Sequence, residues 1–182
     1  MPISEATYER VALEDPEGHG ELVCGRLRSK PAMTTEHNEV ERRLVRQLIL
    51  QLDDREYSVA MDNARLRIAV GSYFVPDICV IPRVAVQRLR EGPGTFEVYE
   101  EPMPLVVEVW SPSTGDYDVE EELREYQRRG DLEVWLIHPY ERMLTAWRWR
   151  SDGNYEQTLY RTGRVPPVAL PSVVIDLERL FD

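Results

Sequence analysis

The chain has 182 residues and a formal net charge of −11, from 33 acidic and 22 basic side chains. This length is typical of one domain of ~100–200 residues, which buries enough surface for a core without disulfides. The acidic balance excludes a broad surface that coats nucleic acid, because such a surface needs many cations to displace phosphate counterions; a local basic groove is still allowed. No stretch reaches the ~18 apolar residues of a membrane span, so we expect a soluble protein.

The cysteines and the lysine content narrow the chemistry further. Cys24 and Cys79 lie in apolar, strand-like segments without a preceding secretory signal, so we expect them to be reduced, buried and cytoplasmic. Lys30 is the only lysine, and all other basic residues are arginine. A mechanism that requires a lysine would therefore have to use Lys30.

The hydrophobic pattern predicts strands and helices in alternation after a polar N-terminal arm over residues 1–20. Residues 21–29 alternate as one half-buried strand that Gly25 interrupts, and residues 34–54 have the clearest helical spacing of the chain. Next we expect three strands at 56–62, 64–70 and 76–82, followed by a short helix or loop excursion at 83–92. A strand at 104–111, a helix at 118–130 and a strand at 132–139 complete this part of the chain. Residues 140–182 form a terminal hairpin around "SDGN" and a tail.

The strand–helix–strand unit at 104–139 decides the fold class. Such a unit favours a right-handed parallel crossover, whereas the other short connections favour antiparallel pairs. We therefore predict a single α/β (α+β) domain over residues 1–182, with a mixed sheet flanked by helices and an added C-terminal hairpin.

Glu108 is a carboxylate inside the apolar run "PLVVEVWS". Strand side chains alternate, so it shares one face with Val106 and Trp110. An isolated buried carboxylate is costly and must be neutralised, paired or bound to a metal. A structural salt bridge or a position at the sheet edge would explain a single glutamate equally well.

Asp77 opens a second apolar strand, "PDICVIP", and favours one explanation for both acids. If the two strands are neighbours, the carboxylates converge and form a hard oxygen site suited to Mg²⁺ or Mn²⁺. Zinc is less suitable, because the three histidines and two cysteines show no close ligand pairs.

Four segments together resemble a known family: "GELVCGRL", "PDICVIP", "PLVVEVWSPST" and "YDVEEELREYQRRGDLEVWLIHP". The chain resembles, over most of its length, the bacterial Uma-two-type family of restriction endonuclease-like proteins, a branch of the PD-(D/E)xK nuclease-like superfamily. The resemblance implies the restriction-endonuclease-like fold, DNA as substrate, and a divalent metal bound by Asp77 and Glu108. The superfamily's action on two strands also implies a homodimer.

The lysine of that pattern is missing from its place. The wider superfamily carries a lysine two residues after the glutamate, where this chain has Trp110, and the family carries it on the following helix, where this chain has Glu122. A glutamate reverses the sign of the charge that a lysine offers to the phosphate. Glu122 could be an extra metal ligand, a water-orienting base, a mark of lost catalysis or a solvated helix residue. Arg129 is the candidate electrostatic substitute.

Glu21 and His37 are accessory candidates. Glu21 matches the N-terminal acid of the family pattern and could approach the metal, or it is a surface strand residue. His37 lies in the first turn of the long helix, on its apolar stripe, and is either a proton shuttle or a satisfied buried histidine.

The sequence therefore predicts a cytoplasmic Mg²⁺- or Mn²⁺-dependent endonuclease that acts on DNA, with Asp77, Glu108 and Glu122 as catalytic residues. The competing hypothesis is a nuclease-like fold that has lost catalysis and serves as a binding or assembly module, which the missing lysine and the acidic charge favour. A small-molecule metal hydrolase is a third reading. Carboxylates within ~4–6 Å of one point would support a metal site.

Overall fold

A computed structural model describes residues 2–14, 20–30, 33–92, 96–112 and 115–182, apart from the side chains of 115–118. The helices are α1 (Glu5–Glu14), α2 (Thr35–Ile49), α3 (Arg83–Arg90), α4 (Gly115–Arg129) and α5 (Leu177–Leu180). The first strands are β1 (Gly20–Val23), β2 (Arg26–Ser29), β3 (Tyr57–Met61), β4 (Leu66–Ala69), β5 (Ser72–Phe74) and β6 (Ile78–Pro82). The remaining strands are β7 (Leu105–Val109), β8 (Glu133–His138), β9 (Met143–Trp149), β10 (Tyr155–Tyr160), β11 (Arg164–Val165) and β12 (Ile175–Asp176).

The central sheet has six strands in the order β10-β9-β8-β7-β6-β3. Strands β7 and β8 are parallel, with α4 as the crossover between them, and their neighbours pair antiparallel. The predicted mixed sheet flanked by helices is confirmed, and so is the hairpin of β9 and β10 around "SDGN".

Strand β7 is buried on both faces, and each face belongs to a different core. Leu105, Val107 and Val109 pack in one cluster with the apolar stripe of α2. Val106 packs in a second cluster with Leu123 of α4. The predicted alternation of side chains along this strand is confirmed, because neighbouring residues of a strand point to opposite faces of the sheet.

Helix α2 begins after Thr34, whose side-chain oxygen accepts a hydrogen bond from the backbone N–H of His37 at 3.2 Å. Val40, Leu44 and Leu48 recur at helical spacing and are fully buried. The helix ends at Ile49, before the predicted end at residue 54.

The segment 21–29 differs from its prediction, because it is a hairpin of β1 and β2 rather than one strand. The chain turns at Cys24 and Gly25, which both have positive φ, 49° and 76°. Cys24 is therefore exposed at the turn, which corrects the expectation that both cysteines are buried; Cys79 is buried, and both are free thiols. The hairpin belongs to a second sheet with the order β2-β1-β5-β4.

The N-terminal arm contains helix α1, and its residues 15–19 lie outside the described part of the chain. Tyr8 is the buried residue of this helix and stacks on Tyr73 of β5 at 5.1 Å between ring centroids. Glu5 accepts hydrogen bonds from the backbone N–H of Gly71 and the hydroxyl of Tyr73. Helix α1 therefore docks on the second sheet through the ring of Tyr8 and the carboxylate of Glu5. Within the described ranges, no helix is long and apolar enough to cross a membrane.

Candidate active site

Strands β6 and β7 are neighbours, and they bring Asp77 and Glu108 together. Asp77 directly precedes β6, and Glu108 lies opposite it near the end of β7, because the antiparallel register pairs Ile78 with Val107. The backbone N–H of Val109 donates to Asp77 Oδ2 at 2.7 Å. Both carboxylates are almost fully buried, with 2% and 3% of each residue exposed.

Lys30 lies against both acids. Its Nζ is 2.6 Å from Asp77 Oδ1 and 3.7 Å from Glu108 Oε2, and its side chain is 7% exposed. The only lysine of the chain thus enters the site from the residue after β2. Sequence reasoning recorded that Lys30 is the only lysine but did not place it, since its contact with Asp77 spans 47 residues and leaves no local pattern.

Burial and the neighbouring charges together set the pKa values of Asp77, Glu108 and Lys30. Burial raises the pKa of Glu108 well above its usual value, and Lys30 only partly opposes that shift. Burial also acts to raise the pKa of Asp77, yet Lys30, His37 and the Val109 N–H hold it below its usual value. Burial lowers the pKa of Lys30, but the two acids outweigh burial and raise it. Asp77 and Lys30 therefore form the ion pair, and Glu108 is the acid that holds a proton more readily.

Tyr126 fixes the second oxygen of Glu108. Its hydroxyl, on α4, donates to Glu108 Oε1 at 2.7 Å, and the residue is fully buried. The remaining oxygen, Oε2, faces Lys30. Tyr126 also packs with Leu123 in a buried apolar cluster, and the hydrogen bond to the acid adds a role in orienting the site.

Glu21 and Glu122 are buried and share one cation, Arg28. Glu21 Oε1 accepts from the backbone N–H of Val75 at 2.8 Å, and Arg28 Nη2 lies 3.0 Å from Glu21 Oε2. Arg28 also pairs with Glu122, which is 5% exposed on α4. Glu21 is thus not a surface strand residue, and Glu122 is not on a solvated helix face.

His37 lies near the other carboxylate oxygen of Asp77, Oδ2, whereas Lys30 contacts Oδ1. Its Nε2 lies 3.7 Å from Asp77 Oδ2 and 3.1 Å from Glu41 Oε1, one helical turn further along α2. Burial lowers the pKa of His37, but the neighbouring carboxylates of Glu41 and Asp77 outweigh it, so the pKa is raised. Glu41 was missed by sequence reasoning, although its spacing of four residues from His37 on one helix face could have indicated it.

Arg129 is not brought to the acids. Its guanidinium pairs with Asp131 and donates to the backbone oxygens of Arg67, Tyr99 and Glu101. These bonds tie the end of α4 to the second sheet and the segment before β7. The cations that the structure places near the acids are Lys30 and Arg28 instead.

The residues present fit a divalent cation. Asp77 and Glu108 offer buried carboxylate oxygens, the donors that Mg²⁺ and Mn²⁺ prefer. Atoms of His37, Glu41 and Asp77 suited to metal ligation lie within 4.8 Å of one another, and the ring nitrogens of His37 and Oε1 of Glu41 are buried without a well-formed hydrogen bond. Asp77 belongs both to the pair with Glu108 and to the cluster with His37 and Glu41. A metal ion bound at either place would therefore depend on Asp77.

Comparisons with known proteins identify the family and the fold of the chain. The model of the family Uma2, described as "Putative restriction endonuclease", matches residues 6–178. A crystal structure described as a "putative nuclease belonging to DUF820", from Anabaena variabilis, superposes with a TM-score of 0.79 at 20% identity, covering 99% of this chain and 98% of that one. At this identity the likeness shows a shared fold. No curated protein matches the chain.

Proposed function

Because the chain belongs to the Uma2 family of restriction endonuclease-like proteins, we propose that it is an endonuclease that hydrolyses DNA phosphodiester bonds with a divalent metal ion, Mg²⁺ or Mn²⁺. The observation that carries this proposal is the convergence of Asp77, which directly precedes β6, and Glu108, on the neighbouring strand β7, with Lys30, which follows β2. Two carboxylates can hold a divalent ion, and an ammonium can stabilise the negative charge that grows on a phosphate.

Asp77 and Glu108 would hold the metal ion. His37, which also contacts Glu41, would help to orient Asp77 through its contact with Oδ2. When bound, the ion supplies Lewis-acid polarisation of the phosphate and acidifies the attacking water. The protein's own part is orientation: the Val109 N–H fixes Asp77 Oδ2, and the remaining oxygen of Asp77 faces Lys30.

The proposal is tested by cleavage of supercoiled plasmid, linear duplex and single-stranded DNA in Mg²⁺, Mn²⁺ or chelator. Asp77→Asn and Glu108→Gln each replace a carboxyl group that could ligate the metal by an amide of nearly the same size, and each should reduce cleavage on the order of 100-fold or more. Glu120→Gln is the matched control, since this acid is exposed on α4 and pairs with Arg124 at the surface. If the native chain cuts none of these DNA forms with either metal, the proposed activity is wrong.

The same plasmid assay addresses assembly. We propose that a homodimer supplies one site for each strand of a duplex. Such a dimer would convert supercoiled circles directly to linear DNA, whereas a chain acting alone would first accumulate nicked circles.

A second candidate function is a catalytically inactive, nuclease-like binding or assembly module. The observation that favours it is the position of Lys30, whose ammonium already neutralises Asp77 without any metal. In that case calorimetric titration of the native chain with Mn²⁺ should give no binding heat, and no DNA form should be cut.

A further inference from the structure

We propose that Lys30 is the catalytic lysine of this chain and that it reaches the site from the end of the β1–β2 hairpin. The position on helix α4 where the family pattern has its lysine is Glu122 in this chain. This inference rests on the proposed nuclease function and assigns its cationic residue. The juxtaposition that carries it is the Lys30 ammonium against Asp77 and Glu108, while Glu122 pairs with Arg28 rather than with Lys30.

Lys30 is not an ordinary surface cation. The chain places arginine at every other basic position, and its single lysine is buried against two carboxylates. Removal of an ammonium from water is costly unless acids compensate, so this position requires both partners. An ammonium is also a compact donor with rotatable N–H groups, which suits a site that must accept a phosphate oxygen more closely than a planar guanidinium allows.

The ion pair of Arg28 with Glu122 places a positive charge beside the glutamate on α4 and weakens its opposition to the reaction. Arg28, on β2, lies two residues before Lys30, and both side chains reach buried acids. Arg28 binds Glu21 and Glu122 together. The charge of Lys30 is therefore left for Asp77, Glu108 and a bound phosphate.

In the reaction, the water oxygen forms a bond to phosphorus, one phosphate ester bond breaks, and the departing sugar oxygen takes up the proton that the water loses. Lys30 is not consumed. Its ammonium donates to a phosphate oxygen and stabilises the negative charge that grows there in the transition state.

The test moves the ammonium from one element to the other. Lys30→Met should reduce cleavage on the order of 100-fold, and the double variant Lys30→Met with Glu122→Lys should recover a large part of that loss. Mn²⁺ binding, measured by calorimetry without DNA, should be retained or tightened in Lys30→Met, because a competing cation has left the acids. Arg26→Met is the matched control, an exposed cation on the same hairpin, and should cut like the native chain.

Lys30→Arg is the second variant, for the case that Lys30→Met does not fold, because arginine keeps the positive charge. The arginine variant should fold, bind Mn²⁺ and still cut more slowly than the native chain. Native-level cutting by Lys30→Met or Lys30→Arg, while Asp77→Asn is inactive, would overturn the inference and leave the nuclease function standing. Mn²⁺ binding that appears only after Lys30 is removed would also overturn it, because Lys30 would then replace the metal. An inactive native chain would overturn the nuclease function itself, and the inference with it.

Discussion

The environment of Glu108 shows how a strand can carry a carboxylate between apolar neighbours. One oxygen accepts from the Tyr126 hydroxyl at 2.7 Å, and the other faces Lys30 at 3.7 Å. A buried polar group is tolerated when each of its atoms has a partner, and it is costly when one partner is removed. The acid is therefore held by side chains from two elements, α4 and the end of the β1–β2 hairpin.

Tyr126→Phe tests this support. Loss of the hydroxyl leaves a buried oxygen of Glu108 without a donor, so the free energy of unfolding should fall by about 1–3 kcal/mol. Cleavage should also slow, because Glu108 is no longer held in one orientation. Urea denaturation and the plasmid assay measure the two effects. Tyr140→Phe, at a tyrosine that is 54% exposed, is the control. Equal stability of Tyr126→Phe and the native chain would contradict the prediction.

At the residue scale, sequence reasoning found the acids but not their partners. Asp77 and Glu108 could be identified because a charge in an apolar run is unusual in itself. Lys30 could not be placed, because tertiary contacts between distant segments decide its position. Arg129 was selected for its nearness in sequence to Glu122, yet the helix directs it to Asp131.

At the element scale, the β1–β2 hairpin is the part that delivers Arg28 and Lys30. Its two-residue turn has positive φ at both residues, as in the turns that match the twist of paired strands. Asn-Gly or Asp-Gly would have indicated that turn, but Cys24-Gly25 does not, and the segment was therefore interpreted as one strand. Helix α1 was missed for a related reason, since its single buried residue, Tyr8, leaves no apolar stripe to recognise.

From the geometry of this turn we expect two substitutions to change the free energy of unfolding in opposite directions. Gly25→Ala should lower the free energy of unfolding by about 1–3 kcal/mol, because φ is +76° and the added Cβ would lie 2.6 Å from Cβ of Pro2. Cys24→Asn should raise it by about 0.5 kcal/mol, since asparagine adopts positive φ more readily than cysteine. Thermal and urea denaturation measure both. A stabilised Gly25→Ala variant would refute the role of this turn.

The long, periodic elements were the most predictable ones. Helix α2, strand β7 and the β9–β10 hairpin follow directly from apolar spacing of 3.6 or 2 residues and from turn residues. Strand β5 has only three residues, too few to show a period, and it is defined by its pairing with β1 and β4.

At the scale of the whole molecule, the site combines residues of the six-stranded central sheet and of the four-stranded second sheet. Its side chains come from β1, the end of β2, α2, the start of β6, β7 and α4, so no single segment contains it. Many surface arginines pair with glutamates, as Arg88 does with Glu101 and Arg150 with Glu156. Attraction for DNA should therefore be local to the site rather than spread over a molecule whose net charge is −11.

This charge distribution predicts a weak salt dependence of DNA binding. With Ca²⁺ in place of Mg²⁺, the slope of log affinity against log salt should have a magnitude of no more than about 4, because each neutralised phosphate contributes about 0.9. Fluorescence anisotropy of a labelled duplex measures it. A much steeper slope would show that a broad cationic surface contacts the DNA, against the expectation from the sequence.

The position of Lys30 also gives the protein a built-in reporter. A chain with one lysine has one ε-amine, and here that amine lies between the two acids on which the proposed chemistry depends. Isotope-labelled lysine would therefore give a single side-chain signal in a magnetic resonance spectrum, with no assignment problem to solve. Metal, DNA or a substitution that disturbs the acids would move that one signal, and a change elsewhere on the surface would leave it in place.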